Sequence, residues 1–147
     1  MKRFLTLILC MTLLLCLGSA CAQSGGNIGI SPLDSDYFTR YGTSLASAGN
    51  GNVEITFSCS SVGVVSQLGV STYTVQRLDT SGWTDVTGLL TGSTGNNVSS
   101  YSFSKLFHGV VGETYRVTCT FICTKSDGTS ETKAHTSLSV TAKASKP

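Results

Sequence analysis

The chain has little proline, few charged residues and no helical pattern after its first twenty residues. Its 147 residues include two prolines, Pro32 and Pro147, and charged side chains make up 12% of the chain. No window of helical length carries apolar residues at positions i, i+3, i+4 and i+7, so the sequence predicts no α-helix there. No proline lies between residues 33 and 146, so no strand in that stretch is interrupted by a proline.

The chain that would remain after export has no excess of positive or negative charge. The full-length net charge of +2 comes from Lys2 and Arg3, and eight basic residues then balance eight acidic ones. Binding of nucleic acid or of an anionic membrane surface needs a basic patch, which this composition excludes. We therefore expect no nucleic-acid partner and no membrane insertion once the first segment has been removed.

Catalytic and cofactor motifs are missing as well. The sequence contains no G-x-S-x-G, no H-E-x-x-H and no phosphate-binding glycine loop. His108 and His135 are the two histidines; we expect both at the surface, with His135 pointing outward and away from the inward-facing thiol of Cys123. Asp34 and Asp36 are a weak carboxylate pair for calcium, and we expect them to be solvated. The sequence predicts a protein without enzyme activity, cofactor or metal.

The first 22 residues have the three parts of a secretory signal peptide. Lys2 and Arg3 precede an apolar stretch over residues 4–17, and small residues follow it. This stretch of about 14 residues is shorter than the roughly 20 that a membrane-spanning helix needs, and no second apolar run follows it. We therefore expect export, with residues 1–22 as the signal peptide.

The cleavage site decides how many cysteines the exported chain keeps. The A-x-A pattern predicts cleavage after Ala22 and secretion of a 125-residue chain. Cleavage after Ala20 is an alternative that leaves Cys21, which can then reach Cys123 through a flexible segment. A third alternative is a lipid anchor attached to Cys21.

Residues beyond position 22 alternate between hydroxyl-bearing and large apolar side chains. There are 21 serines and 18 threonines, interleaved with Val, Ile, Tyr and Phe at a period of two, which is typical of half-buried strands. The turn at 49–51, the turn at 79–82, the mobile loop at 91–97 and the hairpin turn at 126–128 separate them. The strands are expected within residues 37–47, 53–59, 70–78, 83–90, 98–105, 112–125 and 134–140.

About seven antiparallel strands predict an all-β fold. The spacing favours a two-sheet antiparallel sandwich of immunoglobulin-like architecture over residues 37–143, and a jelly roll or barrel is the alternative. Residues 23–36 are expected to be a flexible segment and residues 144–147 a tail. The expected inward side chains include Val53, Ile55, Phe57 and Cys59 early in the chain, Tyr101 and Phe103 in the middle, and Ala134, Thr136, Leu138 and Val140 at the end.

Three cysteines remain if the chain is cut after Ala22. Cys119 and Cys123 face the same side of one strand but lie roughly 13 Å apart, too far to bond to each other or to share a metal. Cys59 faces inward from an earlier strand, so export predicts a disulfide between Cys59 and Cys119, with Cys123 as the fallback partner and Trp83 as a candidate neighbour. The alternative is that all three remain buried thiols.

Two surface features are also testable. Asn97 begins an Asn-Val-Ser glycosylation sequon, expected at the edge of a loop. Trp83, Tyr73 and Tyr101 have the side chains of a sugar-binding platform, but aromatic residues at these spacings are more often part of the core. We expect all three in the core.

Four stretches carry a resemblance to known proteins. "QRLDTSGWTDV" (76–86), "GETYRVTCTF" (112–121) and "GTSETKAHTS" (128–137) together resemble a family of small secreted proteins of unknown function from Gram-positive bacteria. "GISPLDSDY" (29–37) is similar to the opening segment of that family, with Leu33 where a basic residue is expected. The resemblance implies export and a β-rich fold, and it implies no catalytic residues.

Taken together, the sequence predicts a noncatalytic secreted or cell-surface protein that serves in binding or adhesion. The expected partner is an extracellular protein or a glycan. A secreted hydrolase or inhibitor of unfamiliar type and a structural envelope protein are the two alternatives. The sequence indicates no oligomeric state.

Overall fold

A computed structural model describes residues 35–145 of the chain. The predicted signal peptide, both predicted cleavage sites, Cys21 and Asp34 lie outside the described residues. Within the described part no helix is long and apolar enough to cross a membrane. The elements are eight strands, namely β1 (Phe38–Gly49), β2 (Asn52–Asp79), β3 (Gly82–Asp85), β4 (Leu90–Thr91), β5 (Thr94–His108), β6 (Thr114–Thr124), β7 (Ser130–Thr136) and β8 (Val140–Thr141).

All eight strands belong to one antiparallel sheet, in which β2 is the organising strand. β2 runs for 28 residues, where the sequence predicts two separate strands. Its first half pairs with β1, its second half pairs with β6, β3 and β4, and β5 pairs along parts of both halves. The register with β5 shifts between Ser60 and Val65, and Gly63 has a φ of +83° there. Such an irregularity bends a strand, and the sheet curls into a half-barrel.

The core fills the concave side of this curl. Alternate residues of β2 and β6 point into it, because side chains change faces at every position of a strand. Tyr41 of β1 and Phe121 of β6 meet across the curl with ring centroids 5.4 Å apart. The all-β antiparallel prediction is confirmed. The most deeply buried apolar residues include Phe38, Val53, Ile55, Phe57, Leu68, Val70, Val75, Tyr115, Val117 and Phe121.

The predicted turns between strands are confirmed. Gly49, Asn50 and Gly51 connect β1 to β2, and all three have positive φ values, which glycine adopts without strain. A Cβ atom on Gly51 would lie 2.6 Å from the carbonyl oxygen of Gly109. Both the positive φ of Gly51 and this close contact therefore require glycine at position 51. The hairpin turn around Gly128 joins β6 to β7 through a hydrogen bond from the Gly128 amide to the Lys125 carbonyl, 3.0 Å.

Two local predictions are wrong. Most of the expected loop over 91–97 is strand, because β5 begins at Thr94 and its first residues pair with β2. In the last part of the chain Ala134, Thr136 and Leu138 are exposed instead of inward, and the side chains of the alternate residues, such as Ser137, turn inward. β7 is polar on both faces, so its hydrophobic pattern specifies the register weakly and pairing with β6 decides it. Val140 packs against the core as expected.

Candidate functional site

The three cysteines lie where the alternation of their strands predicts. Cys59 of β2 and Cys119 and Cys123 of β6 all point into the core, with exposed fractions of 4%, 6% and 0%. All three are thiols in this structure, so the Cys59–Cys119 disulfide is not formed in it. The pairing of Cys59 with Cys119, or with Cys123, remains a prediction for the exported protein.

The surroundings of these thiols suppress their reactivity. Burial, with smaller contributions from the neighbouring Cys123 and Cys119, raises the pKa of Cys59 to about 12. Burial also raises the pKa of Cys119 to about 11, although a hydrogen-bonding contact with the Thr43 hydroxyl, 3.4 Å from Sγ, opposes the shift. The thiolate is the nucleophilic form of cysteine. Near neutral pH these cysteines are therefore protonated, and they behave as small apolar side chains.

His135 faces the core and not the solvent, contrary to the sequence prediction. It lies opposite Cys119 in the β6–β7 register, and directly opposed residues of an antiparallel pair share a face. Its ring packs edge-on against Tyr41 and Phe121, each with centroids 6.0 Å away. Burial lowers the pKa of His135, and its Nε2 atom is buried without a hydrogen-bond partner among residues 35–145.

The expected reason against a Cys123–His135 dyad is therefore wrong, since both side chains share a face. Cys123 lies opposite Glu131, however, and the residue opposite His135 is Cys119. A catalytic cysteine needs a lowered pKa next to a base, whereas burial shifts the Cys119 thiol and the His135 imidazole toward their neutral forms. This pair has the electrostatics of a core contact.

His108, the second histidine, is exposed, as predicted. It ends β5, and its Nδ1 atom lies 2.8 Å from Oδ1 of Asn52 in the opposing position of β2. Among the described residues no group of three His, Cys, Asp or Glu side chains is arranged to hold a metal ion. Asp36, the described member of the predicted carboxylate pair, is exposed and lines a shallow depression with Ser35, Tyr37 and Glu131.

The three aromatic residues expected in the core divide into different environments. Tyr73 is buried and contacts the ring of Phe57 at 5.1 Å, as predicted. Tyr101 is half-buried, and its hydroxyl lies 2.7 Å from the hydroxyl of Ser93. Trp83 lies outside the core on the convex face, opposite Leu78, so it is not a neighbour of the cysteines. The Arg116 guanidinium covers its ring at 4.3 Å from the centroid.

The convex face of β2, β6 and β7 carries a groove that sequence reasoning missed. We call it the threonine groove; its volume is about 260 Å³. Strand alternation sends the side chains of Tyr73, Cys119 and His135 to the core, so the hydroxyl-bearing residues between them form the floor. The exposed Leu89 lies at its border. The outward side chains of the groove are Thr72, Thr74, Leu89, Thr118, Thr120, Ala134 and Thr136.

The threonines of the groove occupy neighbouring outward positions on three paired strands. Thr72 faces Thr120, and Thr118 lies between Thr74 and Thr136 in the cross-strand register. Neighbouring strands are about 4.8 Å apart, and alternate residues of a strand are about 6.7 Å apart. None of the five threonine hydroxyls bonds to another group within residues 35–145, in contrast to the outward pair Thr56 and Ser104, whose hydroxyls are 2.8 Å apart.

A polar network lies next to the groove, because Gln76 and Arg116 are the next outward residues after Thr74 and Thr118 on their strands. Nε of Arg116 donates to Oε1 of Gln76 at 2.7 Å, and Nε2 of Gln76 donates to Oδ1 of Asp85 at 2.8 Å. Trp83 stacks on the same guanidinium.

The period-two threonines in "STYTV", "RVTCTF" and "KAHTS" are the sequence signal of the groove, but they show only that each strand has a threonine face. Strand pairing brings the three faces together.

Asn97, the residue of the predicted sequon, lies within β5 and not at a loop edge. It is exposed and has a φ of +55°, a conformation that asparagine adopts more readily than most residues.

Comparisons of the chain with protein-family models, with curated proteins and with solved structures found no match. The resemblance to a Gram-positive secreted family therefore stays a prediction.

Proposed function

We propose that this protein is a noncatalytic, secreted or cell-surface binding protein that holds an uncharged, hydroxyl-rich ligand, such as a glycan, in the threonine groove. The single observation that carries the proposal is the set of five outward threonines on the convex face whose hydroxyls have no hydrogen-bond partner within residues 35–145. Each hydroxyl is both a donor and an acceptor of hydrogen bonds, which matches the hydroxyl groups of a sugar.

The border of the groove adds contacts suited to the same ligand class. Leu89, which is exposed, supplies apolar surface there. Binding sites for small molecules combine apolar side chains with a few placed polar groups. The charge of Arg116 is directed toward Trp83 and Gln76 by the contacts described above, which leaves the threonines as the main polar groups for a ligand.

The thiols and the imidazole favour binding over catalysis. Cys59 and Cys119 have raised pKa values, and His135 has a lowered one and points away from the groove. A secreted hydrolase or inhibitor remains the first alternative, and a structural envelope protein is the second. The proposal includes an immunoglobulin-like interpretation of the fold, supported by the ring contact between Tyr41 of β1 and Phe121 of β6 across the single curled sheet.

The proposal is tested by glycan-array binding of purified residues 23–147. The probe variant is the double substitution Thr118→Val and Thr120→Val, which replaces two hydroxyls by methyl groups of similar shape. Thr56→Val is the matched control, because Thr56 is an outward threonine of the other half of β2. We expect the double variant to lose at least about tenfold in affinity, since two hydrogen bonds at about 1 kcal/mol each are removed.

Unchanged affinity in the Thr118/Thr120 double variant would exclude the threonine groove as the binding site. A blank array for the wild-type protein, with a blank in a pull-down from envelope and mucus proteins, would contradict the binding function itself. Appearance of cleaved glycan during the incubation would favour the hydrolase alternative.

A further inference from the structure

Strand β5 has a free edge among the described residues. It pairs with β2 along one side, and no other strand of residues 35–145 pairs with its second side. From Ser100 to His108 the register with β2 is continuous, so this part of the edge is regular and about 30 Å long. Such an edge is a template for pairing with another chain.

Little in β5 protects this edge. Natural edge strands are protected by prolines, bulges, charges or short length. β5 has 15 residues and no proline, and Lys105 is its one Lys, Arg, Asp or Glu residue. Its backbone groups therefore remain accessible to a second strand.

The concave side of the edge carries aromatic rings that the fold covers only in part. Phe103 stacks on Phe57 of β2 with centroids 4.8 Å apart, and Phe107 packs edge-on against Tyr115 at 5.1 Å. Both rings, like that of Tyr101, are only partly buried. A strand added to β5 would cover more of these rings as well as the backbone groups.

The other two long edges of the sheet are in a different position. β1 and β7 approach each other where the half-barrel closes, and the rings of Tyr41 and His135 lie 6.0 Å apart across the gap. The Ser35 hydroxyl just before β1 donates to Oε2 of Glu131 in β7 at 2.5 Å. The edge of β5 is therefore the open long edge among the described residues.

The regular part of this edge is complementary to itself. A two-fold axis perpendicular to a sheet pairs a strand with its own copy in antiparallel orientation, and opposed side chains then share a face. Full overlap of residues 100–108 puts the axis at Ser104. Tyr101 then lies opposite Phe107 of the second copy, and Phe103 lies opposite Lys105 of the second copy. Aromatic cross-strand pairs are favourable, and a cation next to an aromatic ring is attracted to it.

Charge and regularity favour this register over its neighbours. An axis at Lys105 would place the two lysines directly opposite each other, which is destabilising. An axis at Phe103 would place His108 opposite Val98, which lies beyond the register shift of the β2–β5 pair and next to Asn97, whose φ is +55°. The axis at Ser104 avoids both faults.

From this complementarity we infer that two copies of the protein pair edge to edge through residues 100–108 of β5, antiparallel and centred on Ser104, and form a symmetric dimer. The same surface of each copy takes part, so the contact closes at two copies. One strand of each copy makes a small contact, and small interfaces are typical of weak association. The dimer is independent of the ligand of the threonine groove, because the strands of the groove are β2, β6 and β7.

The test measures the molar mass of residues 23–147 by light scattering over a wide range of concentration. We expect an equilibrium between monomer and dimer, without larger species. Ser104→Lys places two like charges opposite each other at the axis, so at low salt it should weaken the dimer at least about threefold.

Ser102→Lys is the matched control. Ser102 lies on the same face of β5 as Ser104, and the hydroxyl of each has one hydrogen bond to β2. In the inferred dimer, however, Ser102 lies opposite Leu106 of the second copy. This variant should therefore dimerise nearly as the wild type does.

A mixture of Ser104→Lys chains with Ser104→Asp chains tests the register directly. Each variant alone should be weakened by its two like charges, whereas the mixture should form a dimer more stable than that of either variant, because the charges at the axis then attract each other. Urea unfolding of each variant checks that both chains are folded. Ser104 is exposed, so both substitutions should leave the fold intact.

Each other outcome overturns the inference. A wild-type protein that stays monomeric shows that the β5 edge does not accept a second copy. Equal weakening by Ser102→Lys and Ser104→Lys, or a mixture without recovery, shows a different register or surface. Species larger than a dimer show head-to-tail assembly. A monomer that still binds glycans contradicts the dimer alone and leaves the proposed function standing.

Discussion

Cys119 of β6 and His135 of β7 lie directly opposite each other, and both side chains point into the core. Burial raises the pKa of the thiol to about 11 and lowers the pKa of the imidazole. A cysteine and a histidine on facing positions thus form a neutral pair packed against Tyr41 and Phe121, and the pH dependence of stability follows from it.

We expect stability to fall as the pH is lowered through the range below 6.5, the ordinary pKa of histidine. Because the pKa of His135 is lower in the folded state, the unfolded chain binds more protons in this range, and protons therefore favour unfolding. The stabilisation is complete above the ordinary pKa and is lost toward the lower, folded value. The free energy of unfolding is measured with urea between about pH 8 and pH 5. In this range histidine titrates and most carboxylates do not.

The matched variants are His135→Leu and His108→Gln. The first should flatten the pH dependence, and the second is the control for replacement of a histidine at an exposed position. An unchanged slope in His135→Leu would show that another group titrates.

Substitution of neighbouring residues on β6 should separate its two faces. Phe121→Ala should lower the free energy of unfolding by about 3–5 kcal/mol, because the buried ring contacts Tyr41 and leaves a cavity. Ile122→Ala, on the half-exposed convex face, should cost about 1 kcal/mol. Urea midpoints with an unchanged m value provide the comparison, and equal costs would contradict the assignment of faces.

Two glycines with similar φ values should differ in their tolerance of alanine. Gly128 has a φ of +84° and open space around it, so Gly128→Ala should cost about 1 kcal/mol for the backbone conformation alone. Gly51 has a φ of +80°, and a Cβ there would lie 2.6 Å from the Gly109 carbonyl oxygen. Gly51→Ala should therefore cost about 1–3 kcal/mol more. Thermal unfolding of both variants measures the two losses of stability. A larger loss for Gly128→Ala than for Gly51→Ala would contradict the prediction.

Reduced protein should not react with iodoacetamide until it unfolds. Cys59, Cys119 and Cys123 are buried and their pKa values are raised, so thiolate is scarce and inaccessible near neutral pH. The intact mass of residues 23–147 should show no adduct under native conditions and three adducts in denaturant. Rapid labelling of one cysteine in the native protein would contradict its burial.

Protein secreted through an oxidising compartment should carry the predicted disulfide. A peptide map without reduction is expected to link Cys59 to Cys119, with a Cys59–Cys123 link as the fallback pairing. All three cysteines belong to one buried core cluster. Three unmodified cysteines in the secreted protein would contradict the prediction.

Local alternation predicted much of the fold but little of the candidate site. The inward residues of the first half of β2 and of β6, and the turns at Asn50 and Gly128, follow from period-two patterns and turn residues. The placement of Trp83 does not, because an aromatic residue in a short strand packs on whichever face the pairing with β2 assigns. The threonine groove was missed for the same reason, since it takes adjacent residues from three strands.

The sequence by itself determined that this chain forms antiparallel strands and which residues of most strands share a face. Only the tertiary structure decided that β2 is one bent strand, that His135 lies in the core, and that β5 is left with an open edge. The physical reason is that alternation is a property of a single strand. Register, burial and edges are properties of pairs of strands. Pairing with β6 determined which face of β7 points inward, because β7 is polar on both sides.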